Sequence, residues 1–299
     1  MIKDRLVMAD GNWLLHRAWS VLGERTAEPT KRVPSLILDW FCSYALRLNC
    51  NGGGIAFDGG SNFRYAVYSE YKANRGSGAN NGVPLVVEKG TMAGMTKQEA
   101  VYASLKPTKD LFRSVGLFVT HPKRFEADDS LASAAWRLCK NHPDTLMYLT
   151  SLDKDVIQCV TENVHIHIPE VGKMPERIIK PADVPRLRKG LTASQFLDLQ
   201  ILLGDSIDNV PPMPGCTPAM ALKIVKTHGS LKAFFDTKDG KDFYFKRATE
   251  LHRNKELVKL SHKAFMFPKS NLMFDKLTGT AESVAFTTLK NKQTRSSLF

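Results

Sequence analysis

Leu6-Val7-Met8-Ala9-Asp10 is an apolar run closed by a carboxylate, and the pattern returns further along the chain. Ile55-Ala56-Phe57 runs into Asp58, and Leu146-Met147-Tyr148-Leu149 is followed by Asp153 and Asp155. Strands buried on both faces of a parallel sheet read as continuous apolar runs rather than alternating ones. Ligands of open α/β sheets sit at the carboxyl ends of such strands. Runs with acids at the same end therefore predict an α/β fold, a mostly parallel central sheet flanked by helices, with several carboxylates along one edge. Glu126-Ala127-Asp128-Asp129 adds a dense cluster, and Asp205 and Asp208 a spaced pair.

Two unit charges ~4 Å apart repel by roughly 4 kcal/mol at an effective dielectric near 20, so converging carboxylates need cations between them. Oxygen donors without His or Cys suit hard ions, which favours Mg²⁺ or Mn²⁺ over zinc. Taken singly, each acidic segment has a plain explanation: acids complement a helix N-terminus or populate a turn. Their joint occurrence points to metal. Two such ions about 3.5 to 4 Å apart serve in-line displacement at a phosphodiester. Lys72 and Arg75 are candidates to neutralise the phosphate during transfer, and each reads equally as a solvated surface charge.

The composition agrees. The chain has 299 residues, 43% hydrophobic and 24% charged, enough for one large or two smaller globular domains. Lys and Arg number 42 against 30 Asp and Glu, a net +12 that favours a polyanionic partner, nucleic acid first and an anionic membrane second. No apolar stretch reaches the length of a spanning helix, and Met1-Ile2-Lys3-Asp4-Arg5 lacks the core of a secretion signal, so a cytoplasmic location without membrane attachment is expected. Cys42, Cys50, Cys139, Cys159 and Cys216 are scattered, with no C-x-x-C pair, and read as reduced and buried. His165 and His167 alternate as one polar face of a strand, and no G-x-x-x-x-G-K-[ST] loop for ATP occurs.

Further elements follow from periodicity and punctuation. A helix is expected from near Pro34, with Leu36, Ile37, Trp40, Phe41, Tyr44 and Leu48 on one face, and Asn51-Gly52-Gly53-Gly54 reads as a turn. The segment 62–75 carries Arg64, Lys72 and Arg75 among Phe63, Tyr65, Tyr68 and Tyr71, a mixture suited to nucleic acid, and 76–94 reads as a flexible crossing. After a strand at Leu117-Phe118-Val119-Thr120, a helix through Asp129 carries Leu131, Ala135 and Leu138. Beyond Pro181 the chain reads as helical: Thr192 caps a helix with Phe196, Leu199 and Leu203, and Pro211, Pro212, Pro214 and Gly215 break it before one holding Leu222 and Val225. The expected regions are 1–185, including an arch at about 64–115, and 186–299.

With these residues in view, the chain resembles the 5′-nuclease family, the flap endonucleases and 5′ to 3′ exonucleases of bacteria and phages. The matching segments are Leu6 to Asn12, Phe57-Asp58, Tyr71-Lys72-Ala73-Asn74-Arg75, Glu126 to Asp129, Ser151 to Asp155, and Gly204 to Asn209, in order along nearly the whole chain. The resemblance implies a first metal site around Asp10, Asp58, Glu126, Asp128 and Asp129, and a second built by Asp153, Asp155, Asp205 and Asp208. It implies that Lys72 and Arg75 stand at the base of an arch over a single-stranded 5′ end, and that Tyr71 stacks on a base. Arg64 is assigned to DNA contact with them. It further implies a helix-hairpin-helix-like grip on duplex backbone at Pro214 to Ala221, with K⁺, through Gly215, Thr217 and Ala219. Here Thr217 stands where a second glycine is usual and Ala219 where a lysine is common, which leaves open a weaker grip or an altered cation site.

The expected activity is metal-dependent hydrolysis of DNA near 5′ ends, on single-stranded ends, flaps or nicks, with RNA–DNA hybrids as a further candidate substrate, by a monomer without an attached polymerase domain. Rivals are a non-catalytic structure-specific DNA-binding protein, disfavoured by the intact acids, and a PIN-type ribonuclease, disfavoured by the helical region after Pro181.

Overall fold

The computed structural model describes residues 2, 4–22, 25–26, 28–74, 86–88 and 90–264. Its centre is a six-stranded sheet: β1 (Asp4–Asp10), β2 (Gly52–Ala56), β3 (Phe118–Thr120), β4 (Thr145–Thr150), β5 (Val164–Ile168) and β6 (Arg177–Ile179). The order is β3-β2-β1-β4-β5-β6, parallel throughout except for the antiparallel β5–β6 pair. β1 and β4 are neighbours whose chain connections run to opposite sides, so the crevice of a doubly wound sheet opens at their carboxyl ends. Asp10 closes β1 there, and Asp153 follows β4. Leu6, Val7, Met8 and Ala9 are fully buried, as a central strand covered on both faces requires.

Helices α1 (Gly11–Leu22), α2 (Pro29–Arg47), α3 (Arg64–Val67), α4 (Lys97–Ala103), α5 (Leu105–Ser114) and α6 (Ala127–Asn141) belong to the sheet region. One core joins α1, α2 and α5 to the sheet face carrying Val7, Ala9 and Ile55, and a second packs α6 and a 3-10 turn (Lys154–Cys159) on the face of Leu6, Met8 and Met147. Helix α7 (Val184–Leu187) packs on that second core, and the helical region holds α8 (Ala193–Leu203), α9 (Pro218–His228), α10 (Leu231–Phe235) and α11 (Lys238–Val258) around a third core, which includes Tyr71. Thr192 caps α8 as expected, accepting the Gln195 N–H while the Gln195 side chain accepts the Thr192 N–H.

Several sequence expectations are corrected. Gly52, Gly53 and Gly54 form no turn but strand β2, in register with Leu6, Val7 and Met8. A Cβ on Gly53 would lie 2.2 Å from the Val7 carbonyl oxygen and 3.0 Å from Cζ of Phe41, so the glycines permit close packing rather than chain reversal. The helix expected near Pro34 starts at Pro29, whose fixed φ suits a first helical position, and Pro34 lies inside it. Helix α1 was not anticipated. His167 is not on a polar face: it is fully buried, between Thr150 Oγ1 (2.9 Å) and Glu176 Oε1 (2.6 Å), and burial lowers its pKa. Cys42, Cys50 and Cys216 are buried and Cys159 half-buried, all unoxidised. Arg75, residues 76–85 and Lys89, on which much of the arch expectation rests, lie outside the described residues. Among the described residues no helix is long and apolar enough to cross a membrane.

Candidate metal centre and duplex-binding turn

Five chain segments deliver carboxylates to the crevice, and local hydrogen bonds fix Asp10, Asp58 and Asp153 there. Asp10 accepts the Trp13 N–H (3.0 Å), which fastens it over the start of α1. Asp58 spans from β2 to α6: Oδ1 accepts the Ala127 N–H (2.7 Å) and Oδ2 accepts Asn12 Nδ2 (2.7 Å), while Asn12 Oδ1 accepts the Asp58 N–H (3.0 Å). Asp153 caps the 3-10 turn by accepting the Asp155 N–H (2.7 Å), and Asp155 in turn accepts from Nε2 of Gln200 on α8.

Glu126, Asp128, Asp153, Asp155, Asp205 and Asp208 line one cavity of about 20 Å³ together with Arg64, Tyr71 and Lys72. Asp10 and Asp58 do not line it, yet their charges reach Asp128. Burial raises the Asp10 pKa to about 7, opposed by the Trp13 N–H and reinforced by Asp58 and Asp153. Burial, then Asp10, Asp153, Glu126 and Asp58, lift Asp128 well above the carboxylate range. Burial and Asp153 raise Asp155 to about 7. Among the described residues no three His, Cys, Asp or Glu side chains form a ready-made metal cage.

Two lysines serve as the local counter-charges. Lys72 Nζ is hydrogen-bonded to Glu126 and lies 3.9 Å from Asp208, while its N–H donates to the Asp208 carbonyl (2.8 Å) with φ at +57°. Lys154 Nζ lies 2.6 Å from Asp205. Lys154, Asn12 and Gln200 were missed by the sequence reading. Asn12 sits beside Asp10 in the first motif, and Gln200 is a buried polar residue between Leu199 and Ile201, a pattern that signals a required partner.

Three expected roles do not fit the geometry. Arg64 is no DNA-contacting surface cation: it is 1% exposed, and its guanidinium grips both oxygens of Asp129 at 2.7 and 2.8 Å and donates to the Leu257 carbonyl. Burial opposes its charge, but Asp129 raises its pKa overall. Asp129, expected as a metal ligand, is fully buried and also accepts the Glu126 and Ser261 N–H groups, so it joins the start of α6 to the end of the helical region. Tyr71 is 2% exposed, its hydroxyl bonded to Glu126 and Asp208, so its ring is not available to stack on a base.

At the expected duplex-binding turn, Gly215 adopts φ +71°, beyond ordinary reach of L residues, and the Pro214 carbonyl accepts from Arg247 Nε at 2.7 Å. Thr217 needs no such freedom. It has φ −76° and ψ 158° and caps α9 by accepting the Met220 N–H (3.2 Å), a position where Thr is favoured. Thr217, Ala219 and Gly215 are all exposed.

Fold and site together define an α/β protein organised around a half-buried acidic centre at the switch point of a doubly wound sheet. The chain belongs to the family described as "5′-3′ exonuclease, N-terminal resolvase-like domain", matched over residues 5–186. It is 27% identical over 240 residues to DNA polymerase I of Chloroflexus aurantiacus, a match covering 78% of this chain and 23% of that protein. It is 27% identical over 183 residues to a 5′-3′ exonuclease of Buchnera aphidicola subsp. Schizaphis graminum, covering 61% and 55%. The chain thus spans about a quarter of the polymerase relative. The fold is shared with the T5 D15 protein co-crystallised with metal ions (TM-score 0.64, 21% identity, 87% of this chain and 91% of that one). It also extends to the catalytic core of Rad2 in complex with DNA substrate (TM-score 0.50, 14% identity, 94% and 88%).

Proposed function

We propose that this chain is a divalent-metal-dependent hydrolase that cuts DNA phosphodiesters near 5′ ends, as an exonuclease, a flap endonuclease or both. The observation that carries the reading is the meeting of six carboxylates from three distant segments on one cavity, where Lys72 and Lys154 are ion-pair partners beside the buried Arg64. The donor set fits hard cations: it is all oxygen, and Asp10, Asp128, Asp153 and Asp155 form no ion pair among the described residues. Asp10, Asp58, Glu126 and Asp128 would hold one Mg²⁺ or Mn²⁺, and Asp153, Asp155, Asp205 and Asp208 the other. The chemistry such ions supply is activation of water and neutralisation of charge on the phosphate.

The chain's own residues do the rest. Asn12 and Gln200 orient Asp58 and Asp155, and Lys72, held by the Asp208 carbonyl, points its ammonium at the acids where a phosphate would arrive. Exposed backbone at Gly215 and the Thr217 start of α9 supply N–H groups for duplex phosphate, with K⁺ as a candidate partner there. On this reading residues 1–185 cut and 186–299 hold duplex, acting on 5′ single-stranded ends, flaps or nicks, with RNA–DNA hybrids also tested. The experiment is a labelled 5′ flap incubated with and without Mg²⁺, beside nicked, blunt and matched RNA substrates, with Asp128→Ala as control. Mg²⁺-dependent short products that vanish in Asp128→Ala support the reading. Equal cleavage by the variant, or none by the parent, removes it.

A further inference from the structure

The turn after α7 places two consecutive residues in the left-handed region, Lys189 at φ +55° and Gly190 at φ +81°. It is tightly pinned: the Gly190 N–H donates to the Pro185 carbonyl (2.7 Å), the Leu191 N–H to the Arg188 carbonyl (2.9 Å), and Leu191 is buried in the helical core. Lys189 is exposed, and the adjoining Gly190 lies beside the last turns of α9. A Cβ on Gly190 would lie 3.7 Å from Nζ of Lys226. On α9, Ala219, Lys223 and Lys226 are exposed and spaced i, i+4, i+7, so they share one helix face. That face starts at the Gly215–Thr217 turn and ends at Lys226, beside the Gly190 turn. Lys189, Lys223 and Lys226 form no ion pair among the described residues, whereas the neighbouring Asp183 is engaged by Arg186.

A row of uncompensated ammonium groups beside a rigid backbone turn is the footprint of a phosphate backbone. Seven residues of helix span about 10 Å, the rise of roughly three base pairs. We propose that Lys223, Lys226 and the Lys189–Gly190 turn form a second phosphate-contact ridge, which takes duplex DNA about three base pairs beyond the Gly215–Thr217 turn. The proposal rests on the nuclease reading. It assigns the ridge a holding role, with no part in cutting.

The test is equilibrium binding in EDTA, so that no hydrolysis intervenes, of duplexes with a 5′ flap whose double-stranded arm is lengthened in single base pairs. Parent protein should gain affinity in a step as the arm comes to cover the ridge. The double variant Lys189→Glu, Lys226→Glu should lose that step, and its log–log salt slope should fall by about 1.8, at ~0.9 for each of two contacts. Lys140→Glu, an exposed position at the end of α6 and outside the ridge, controls for reversal of a surface positive charge and should keep both. All three positions are exposed, and thermal melts verify folding. A double variant with parental slope and parental length dependence overturns the ridge. Mg²⁺-dependent flap cleavage by the parent, run in parallel, tells that failure apart from failure of the nuclease reading.

Discussion

Asp128 and Asp129 are adjacent in sequence and lie in opposite electrostatic settings. Asp128 is half-buried beside Asp10, Asp153 and Glu126, and desolvation first and then these charges push its pKa up, whereas Asp129 is held by the Arg64 guanidinium at 2.7 and 2.8 Å. Removing one partner of a buried ion pair strands the other charge, so Asp129→Ala should cost about 3–5 kcal/mol in urea or guanidinium unfolding. Asp128→Asn removes an unwelcome charge instead. It should raise the stability of the metal-free protein at pH 7 while abolishing Mg²⁺-dependent cleavage, and a destabilised Asp128→Asn would contradict the repulsion described here. The acids themselves were legible in the sequence. Which of them serve the cavity and which are neutralised was not, because the partner of Asp129 lies 65 positions away and reads locally as one more basic residue among aromatics.

At the scale of elements, apolar runs ending on acids gave the parallel strands and the crevice, since that signal depends only on neighbours in sequence. The glycine run failed for a physical reason. Gly52 to Gly54 carry the local mark of a turn, but the deciding fact is the closeness of Val7 on β1 and Phe41 on α2, which no local pattern reveals. Gly53→Ala therefore forces a 2.2 Å contact onto backbone that cannot yield without shifting the β1–β2 register. The expected loss is about 1–3 kcal/mol or more, read as a lowered denaturation midpoint, with weakened metal-dependent activity because Asp10 and Asp58 follow those two strands. Gly60→Ala, where a Cβ meets nothing within 4 Å, should leave stability near the parent's. At the duplex-binding turn, Thr217→Ala should cost about 1 kcal/mol through loss of the cap, and Thr217→Gly only a few tenths.

For the whole molecule, concentrating carboxylates in one crevice links folding, protons and cations. Asp10 and Asp155 both move from an ordinary value of 3.8 to about 7 in the folded chain, burial leading in each case. A raised carboxyl pKa means the folded state binds protons more tightly than the unfolded one between those values. The contribution to stability is therefore fully present below about pH 4 and is lost as pH rises through about 7. In EDTA, the melting temperature of the parent should thus fall, relative to an Asp10→Asn, Asp155→Asn double variant, across that interval. A divalent ion that binds only the folded chain stabilises it by mass action, so saturating Mg²⁺ should restore melting temperature most at pH 7.5 and little at pH 5, where protons already occupy the carboxylates. Parallel pH profiles for parent and double variant in EDTA, or an Mg²⁺ shift independent of pH, would show that these acids do not share the crevice as a single electrostatic unit.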